Sequence, residues 1–265
     1  MDALTAAQPR VAVHKFSSCD GCQLAFLNLG EALLVLAERV ELVHFAEAGP
    51  LDPDTDVDIA FVEGSVSTPE DLERIRHIRD HSRILIAIGA CATSGGIQGL
   101  RNGVFDASWV TQIYQHPEAI ASLARSTPLA AHVKVDFELW GCPVSGPQML
   151  SAVNALLLGV APRDNAEKVC VECKRAGHPC VMVTRGIPCM GPATRAGCGA
   201  LCPSLGRDCY GCYGPAEAVN TASLAAHFGH LGLDATAVAQ RFQSINSQAP
   251  AFHAAAQAIH EASHD

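Results

Sequence analysis

The sequence predicts an α/β fold: a doubly wound parallel sheet, then a small irregular region, then a helical C-terminal tail. Three observations carry this prediction. Short apolar runs alternate with helix-like segments from residue 10 to about 160, residues 168–215 are dense in Cys, Gly and Pro without a helical period, and from about residue 216 a helical pattern returns. Strands that alternate with helices imply parallel pairing, because a chain that re-enters a sheet in the same direction needs a crossover. At 265 residues with 49% hydrophobic content, the chain is long enough for one domain of ordinary size and a smaller second one. The expected boundaries are residues 10–160 and 161–265.

Five runs read as strands: VAVHKF (11–16), VELVHF (40–45), VDIAFVEG (57–64), RILIAIGA (83–90) and VKVDFELW (133–140). Between them, Gln23 to Arg39 and Pro69 to His81 have amphipathic helical spacing, the second opened by a Ser67 or Thr68 cap, Pro69 and two acids in its first turn. Gln148 to Leu158 is the last helix expected in this half, and APRDNAE (161–167) reads as a linker from its Pro, Asp and Asn content. Residues 168–215 hold too few apolar residues for a core of their own, so bound metal is expected to organise them. Residues 216–232, 233–245 and 249–263 return to helical spacing and form the tail.

Composition narrows the function. A net charge of -9 argues against a nucleic-acid partner. Runs such as ILIAIGACA and ALLLGVA fall short of the roughly 18 apolar residues that span a bilayer, which excludes a membrane helix. The N-terminus MDALTAAQPRVAVHKF carries neither an apolar export segment nor a twin-arginine pair, so the expected location is the cytoplasm. Residues 163–213 hold seven basic and four acidic residues, an excess that offsets anionic ligands nearby. No Ser/His/Asp triad, phosphate-binding loop or dinucleotide fingerprint is present.

The twelve cysteines carry the chemistry. A reducing compartment keeps thiols free, which leaves metal binding as the usual reason for so many. The first set is Cys19 and Cys22 in SSCDGCQ, Cys91 in GACATSGG and Cys142 in WGCPVSG. Each follows the end of a predicted strand, and the carboxyl ends of parallel strands line the ligand crevice of an open sheet. Residues far apart in sequence thereby converge.

Taken in order, the remaining eight form Cys170, Cys173, Cys180 and Cys189, then Cys198, Cys202, Cys209 and Cys212. Interleaving between these two groups is the alternative. Four thiolates per site is the demand of an iron-sulfur cluster, and structural zinc sites share this spacing. Spacing alone does not separate iron from zinc. Glu63 ends the third strand at the same edge, where a solvated or helix-capping carboxylate is the expected role. His178, beside Cys180, reads as a hydrogen-bonding neighbour and not a ligand, because twelve thiols already fill three sites.

SSCDGCQLAFL, VDIAFVEGSVST, GACATSGGIQGLRN, GCPVSGPQ and IPCMGPATRAGCGALCPSLGRDCYGCYGP together resemble the small subunit of nickel-iron hydrogenases. The resemblance is nearest to the delta subunit of cytoplasmic NAD(P)-linked enzymes, also called sulfhydrogenases. Viologen-reducing enzymes coupled to heterodisulfide reductase are a near second.

The resemblance implies a flavodoxin-like first domain without flavin, whose Cys19, Cys22, Cys91 and Cys142 hold a proximal 4Fe-4S cluster. It assigns Cys170, Cys173, Cys180 and Cys189 to a distal cluster and Cys198, Cys202, Cys209 and Cys212 to a medial one. Cys170 stands where exported members use histidine, and Cys202 adds a fourth thiolate where their medial site has three, so both clusters are expected to be 4Fe-4S. The related subunit of respiratory complex I pairs adjacent cysteines and has one cluster; CDGC and the eight further thiols argue against that reading. The implied partners are a large subunit with the nickel-iron centre, and iron-sulfur and flavin/NAD(P) subunits. This chain, without a catalytic residue of its own, is expected to relay single electrons between them.

Overall fold

The computed structural model describes residues 8–49, 51–103, 108–163, 165 and 167–264. Strands β1 (Arg10–Lys15), β2 (Glu41–Phe45), β3 (Val57–Glu63), β4 (Ser82–Ile88) and β5 (Phe137–Leu139) form one sheet. Their order is β2-β1-β3-β4-β5, with parallel pairing throughout. That order is the flavodoxin-like arrangement, with its topological switch between β1 and β3.

The fifth strand is shorter than predicted. Val133 and Val135 pack into the core beneath the sheet, and the Asp136 carboxylate accepts the Leu85 N–H at 2.9 Å, which takes the place of a ladder bond.

Side chains alternate between the two sheet faces, as the period of a strand requires. Val11, Val13, Ile59, Phe61, Ile86 and Ile88 meet α1 (Gly21–Leu27), α2 (Glu31–Ala37) and the later helix Gly146–Leu157. Ala12, Ala60, Val62, Leu85 and Ala87 meet α3 (Pro69–Asp80). The single helix expected over Gln23 to Arg39 is broken in two. Gly30 adopts φ +58° at the start of α2, a left-handed conformation that L side chains resist.

At the start of α3, Thr68 Oγ1 accepts the Asp71 N–H at 3.1 Å and Asp71 accepts the Thr68 N–H at 2.9 Å, a complete capping box. The Ser67-or-Thr68 ambiguity is thereby resolved to Thr68. After β4 the chain turns at once into α4 (Gly89–Ser94), then α5 (Ser108–Ile113), β5 and α6 (Gly146–Leu157).

Residues 161–163 carry no regular structure; Asp164 and Ala166 of the expected linker lie outside the described residues. The cysteine-rich segment contains three short helices that no periodicity announced: α7 (Val169–Arg175), α8 (Val181–Arg185) and α9 (Leu201–Ser204). The tail follows as α10 (Thr221–His230), α11 (Ala235–Phe242) and α12 (Pro250–His264).

The segment also has protein packing beside the metal expected to organise it. Val169, Val181, Met190 and Ala193 share a buried cluster with Trp140 from the end of β5 and with Phe228, Phe242 and Phe252 from the tail. The tail therefore supplies the apolar surface that the segment lacks. Among the described residues, no helix is long and apolar enough to cross a membrane.

Candidate cysteine centres

The first cysteine set gathers at the carboxyl edge of the sheet. Cys19 and Cys22 flank the turn from β1 into α1, Cys91 lies in the first turn of α4 directly after β4, and Cys142 follows β5. Burial pushes the Cys22 and Cys142 thiols up, and it raises Cys91 to about 12 with added repulsion from Cys142 and Cys19. Near neutral pH such thiols keep their protons unless a cation replaces them.

Two glycines make room for the sulfurs. A methyl group at Gly89, φ +82°, would overlap Cys22 Sγ, and one at Gly96, φ +57°, would overlap Cys91 Sγ. Glu63 is 2% exposed and caps α1, accepting the Cys22 N–H at 3.2 Å and the Gln23 N–H at 3.1 Å. Burial pushes its carboxyl above the usual range, against the two amide bonds that favour the anion. Of the two roles expected for Glu63, helix capping is the one observed.

The second set assembles around α7. Cys170 and Cys173 lie three residues apart, on one face of the helix, and Cys180 precedes α8. Burial raises Cys173 to about 11, with repulsion from Cys170, Cys189 and Cys180. Burial also lifts Cys170, which feels Cys189 and Cys180.

In the third set, burial raises Cys212 to about 12, with repulsion from Cys198, Cys142 and Cys202. Cys212 therefore faces both its own set and the first. The Cys142 N–H is directed at the Cys212 thiol, and the Tyr213 ring packs against Gly141. On the other side, the Cys209 N–H donates to Cys189 Sγ at 3.2 Å. Cys209 feels both Cys189 and Cys212, so it stands at the boundary between the second and third groups. In space the third set lies between the first and the second.

Among the described residues, no three His, Cys, Asp or Glu side chains close around a single metal ion. Sequence reasoning passed over two residues of this region. Glu172 sits between the cysteines of CVEC, where an acid beside two thiolates was the available signal. Tyr213 is 5% exposed, and nothing local in the sequence places it between two sets.

The family described as NADH ubiquinone oxidoreductase, 20 Kd subunit, matches residues 19–156, the span that holds the first set and most of the sheet. Sulfhydrogenase 2 subunit delta of Pyrococcus furiosus is 36% identical over 206 residues, covering 78% of this chain and 86% of that protein. The chain belongs to the hydrogenase small-subunit family.

A second relative, from the F420-non-reducing hydrogenase vhu of Methanocaldococcus jannaschii, is 32% identical and covers 88% of this chain and 94% of its own. A crystal structure described as NAD+-reducing [NiFe]-hydrogenase in the H2-reduced state superposes with a TM-score of 0.55 at 29% identity, over 59% of this chain and 95% of that one. This hydrogenase small subunit shares the sheet architecture of that structure. Its relatives are subunits of oxidoreductases.

Proposed function

We propose that this chain is the electron-transfer small subunit of a soluble, bidirectional, cytoplasmic nickel-iron hydrogenase, with residues 10–160 and 161–265 as its two domains. Cys19, Cys22, Cys91 and Cys142 would hold a proximal 4Fe-4S cluster. Cys198, Cys202, Cys209 and Cys212 would hold a medial one, and Cys170, Cys173, Cys180 and Cys189 a distal one. The single observation that supports the reading is the pair of contacts that would link such groups, Cys212 beside Cys142 and the Cys209 N–H on Cys189 Sγ.

The residues fit the groups. Soft thiols in fours match cluster ligation, the glycines leave space at Cys22 and Cys91, and backbone N–H groups reach the sulfurs of Cys189 and Cys209. When bound, the clusters supply one-electron redox chemistry. The chain's own part is to space them, shield them from water and set their potentials through N–H groups and nearby charge.

Around the first set, Leu24, Ile97 and Leu100 are 50%, 56% and 44% exposed, an apolar rim suited to a large subunit that holds nickel and iron. Iron-sulfur and flavin/NAD(P) subunits would meet the distal side. The relative named F420-non-reducing hydrogenase, which covers 88% of the chain, supports a second reading in which the acceptor partner is that of a viologen-reducing enzyme coupled to heterodisulfide reductase.

Metal analysis of the anaerobically purified complex tests the core of the proposal. The expected content for this chain is about twelve irons and about twelve acid-labile sulfides. Zinc without sulfide would mark a zinc-stabilised interaction module and sink the reading. In the loaded complex, Cys19→Ala is expected to abolish hydrogen-driven reduction of the final acceptor. Cys209→Ala is expected to lower that reduction while isotope exchange at the partner's metal centre survives.

A further inference from the structure

We propose that Glu172 is a positioning residue that ties the Cys198 loop to the α7 helix of Cys170 and Cys173 and sets a fixed negative charge beside the Cys198 sulfur. The inference rests on the cluster reading given above and assigns a role to a residue that supplies no ligand.

The geometry is specific. Glu172 Oε1 accepts the N–H of Gly197 at 2.9 Å and of Gly199 at 3.2 Å, and Oε2 accepts the N–H of Ala200 at 3.2 Å. The Cys198 sulfur lies 3.9 Å from Oε2. The loop can present these amides together because Gly197, Gly199 and Ala200 take φ values of +137°, +65° and +55°. Successive N–H groups in such a turn form a concave anion site, and here a side chain of the same molecule fills it.

Without that carboxylate, three converging donors would lack an acceptor, and a loop with three residues in uncommon backbone conformations would lose its anchor. The anchor comes from between two cysteines of the neighbouring set, so a shift of α7 is transmitted to Cys198.

Charge adds a second effect. Arg175, three residues on along α7, donates to Glu167 through Nη2 at 2.7 Å, whereas the carboxylate of Glu172 is taken up by the loop amides. A negative group close to a ligand sulfur disfavours the arrival of an electron, and the potential of the cluster on Cys198 is lowered accordingly.

The test uses the assembled complex. Glu172→Gln keeps the shape but offers one acceptor and one donor to three donors. The expected result is an upward shift in the midpoint potential of one cluster by EPR-monitored titration, the other two shifting less. Faster hydrogen exchange in the peptide spanning residues 196–201 is expected alongside it.

Glu172→Asp retains the charge at shorter reach and is expected to restore most of the potential while the amides stay less protected. Should E172Q hold fewer irons than the parent, E172D carries the charge test: a potential near the parent's with less protected amides supports the proposal, and one displaced upward despite the retained charge overturns it. Parental potentials together with parental exchange in E172Q overturn the proposal while leaving the cluster reading intact. A parent without iron and sulfide fails the earlier reading first.

Discussion

Two residues outside the ligand sets make sharp predictions. Gly89 turns the chain from β4 into α4 with φ +82°, against the Cys22 sulfur. Gly89→Ala meets both backbone strain and overlap with that sulfur. It is expected to cost one cluster, about four irons, in metal analysis of the purified complex.

His14 is the second. It is 4% exposed and stacked on His44 at a ring separation of 4.6 Å. Burial, then repulsion from His44, Arg74 and His77, pushes its pKa down to about 3. An unfolded histidine takes up a proton near pH 6.5, which the folded site refuses, so stability falls as the pH drops from about 6.5 towards 3. At pH 5 this amounts to about 2 kcal/mol. Thermal unfolding of His14→Gln is expected to show a flatter dependence between pH 7 and pH 5, and a curve as steep as the parent's would contradict the assignment.

At the scale of elements, the capping box of α3 gives a clean stability test. Thr68→Ala removes the side-chain acceptor for the Asp71 amide and is expected to cost about 1 kcal/mol in urea unfolding, with electron transfer unchanged. Strands β1 to β4 and α3 were legible in the sequence because their periods were long enough to register, as in the alternation of Ile59, Ala60, Phe61 and Val62 between faces.

The break between α1 and α2 was not legible. The amphipathic spacing runs straight through Gly30, and only the backbone angle there reveals the turn. Helices α7, α8 and α9 span only seven, five and four residues, too short for a hydrophobic period to emerge. The second core was hidden for another reason. Phe228, Phe242 and Phe252 lie far along the chain from Val169 and Met190, and a window on the sequence never sees them together.

For the molecule as a whole, the first cysteine set was readable because strand ends meet at one edge, a rule of parallel sheets that needs no coordinates. The relative placement of the other two sets followed only from the family resemblance and not from spacing, since it depends on how the segment folds back against Trp140 and Tyr213.

Two separate cores follow from this arrangement, and they are expected to respond differently to loss of iron. After anaerobic chelation, hydrogen exchange in residues 168–215 is expected to rise sharply. Peptides from β3 and β4, where Ile59, Ala60, Phe61 and Val62 and then Leu85, Ile86, Ala87 and Ile88 are fully buried, should keep their protection. Simultaneous melting of the sheet would show that the two halves share one cooperative unit.

The group placed last along the chain, from Cys198 to Cys212, occupies the midpoint of the row. A polypeptide cut just before Ala196 would thus lose these four thiols and, with them, Phe228, Phe242 and Phe252, the apolar bed on which Val169, Val181 and Met190 rest. If the proposed relay is right, trimming from the carboxyl terminus does not yield a shorter conductor: it removes the middle station and unmoors the far one.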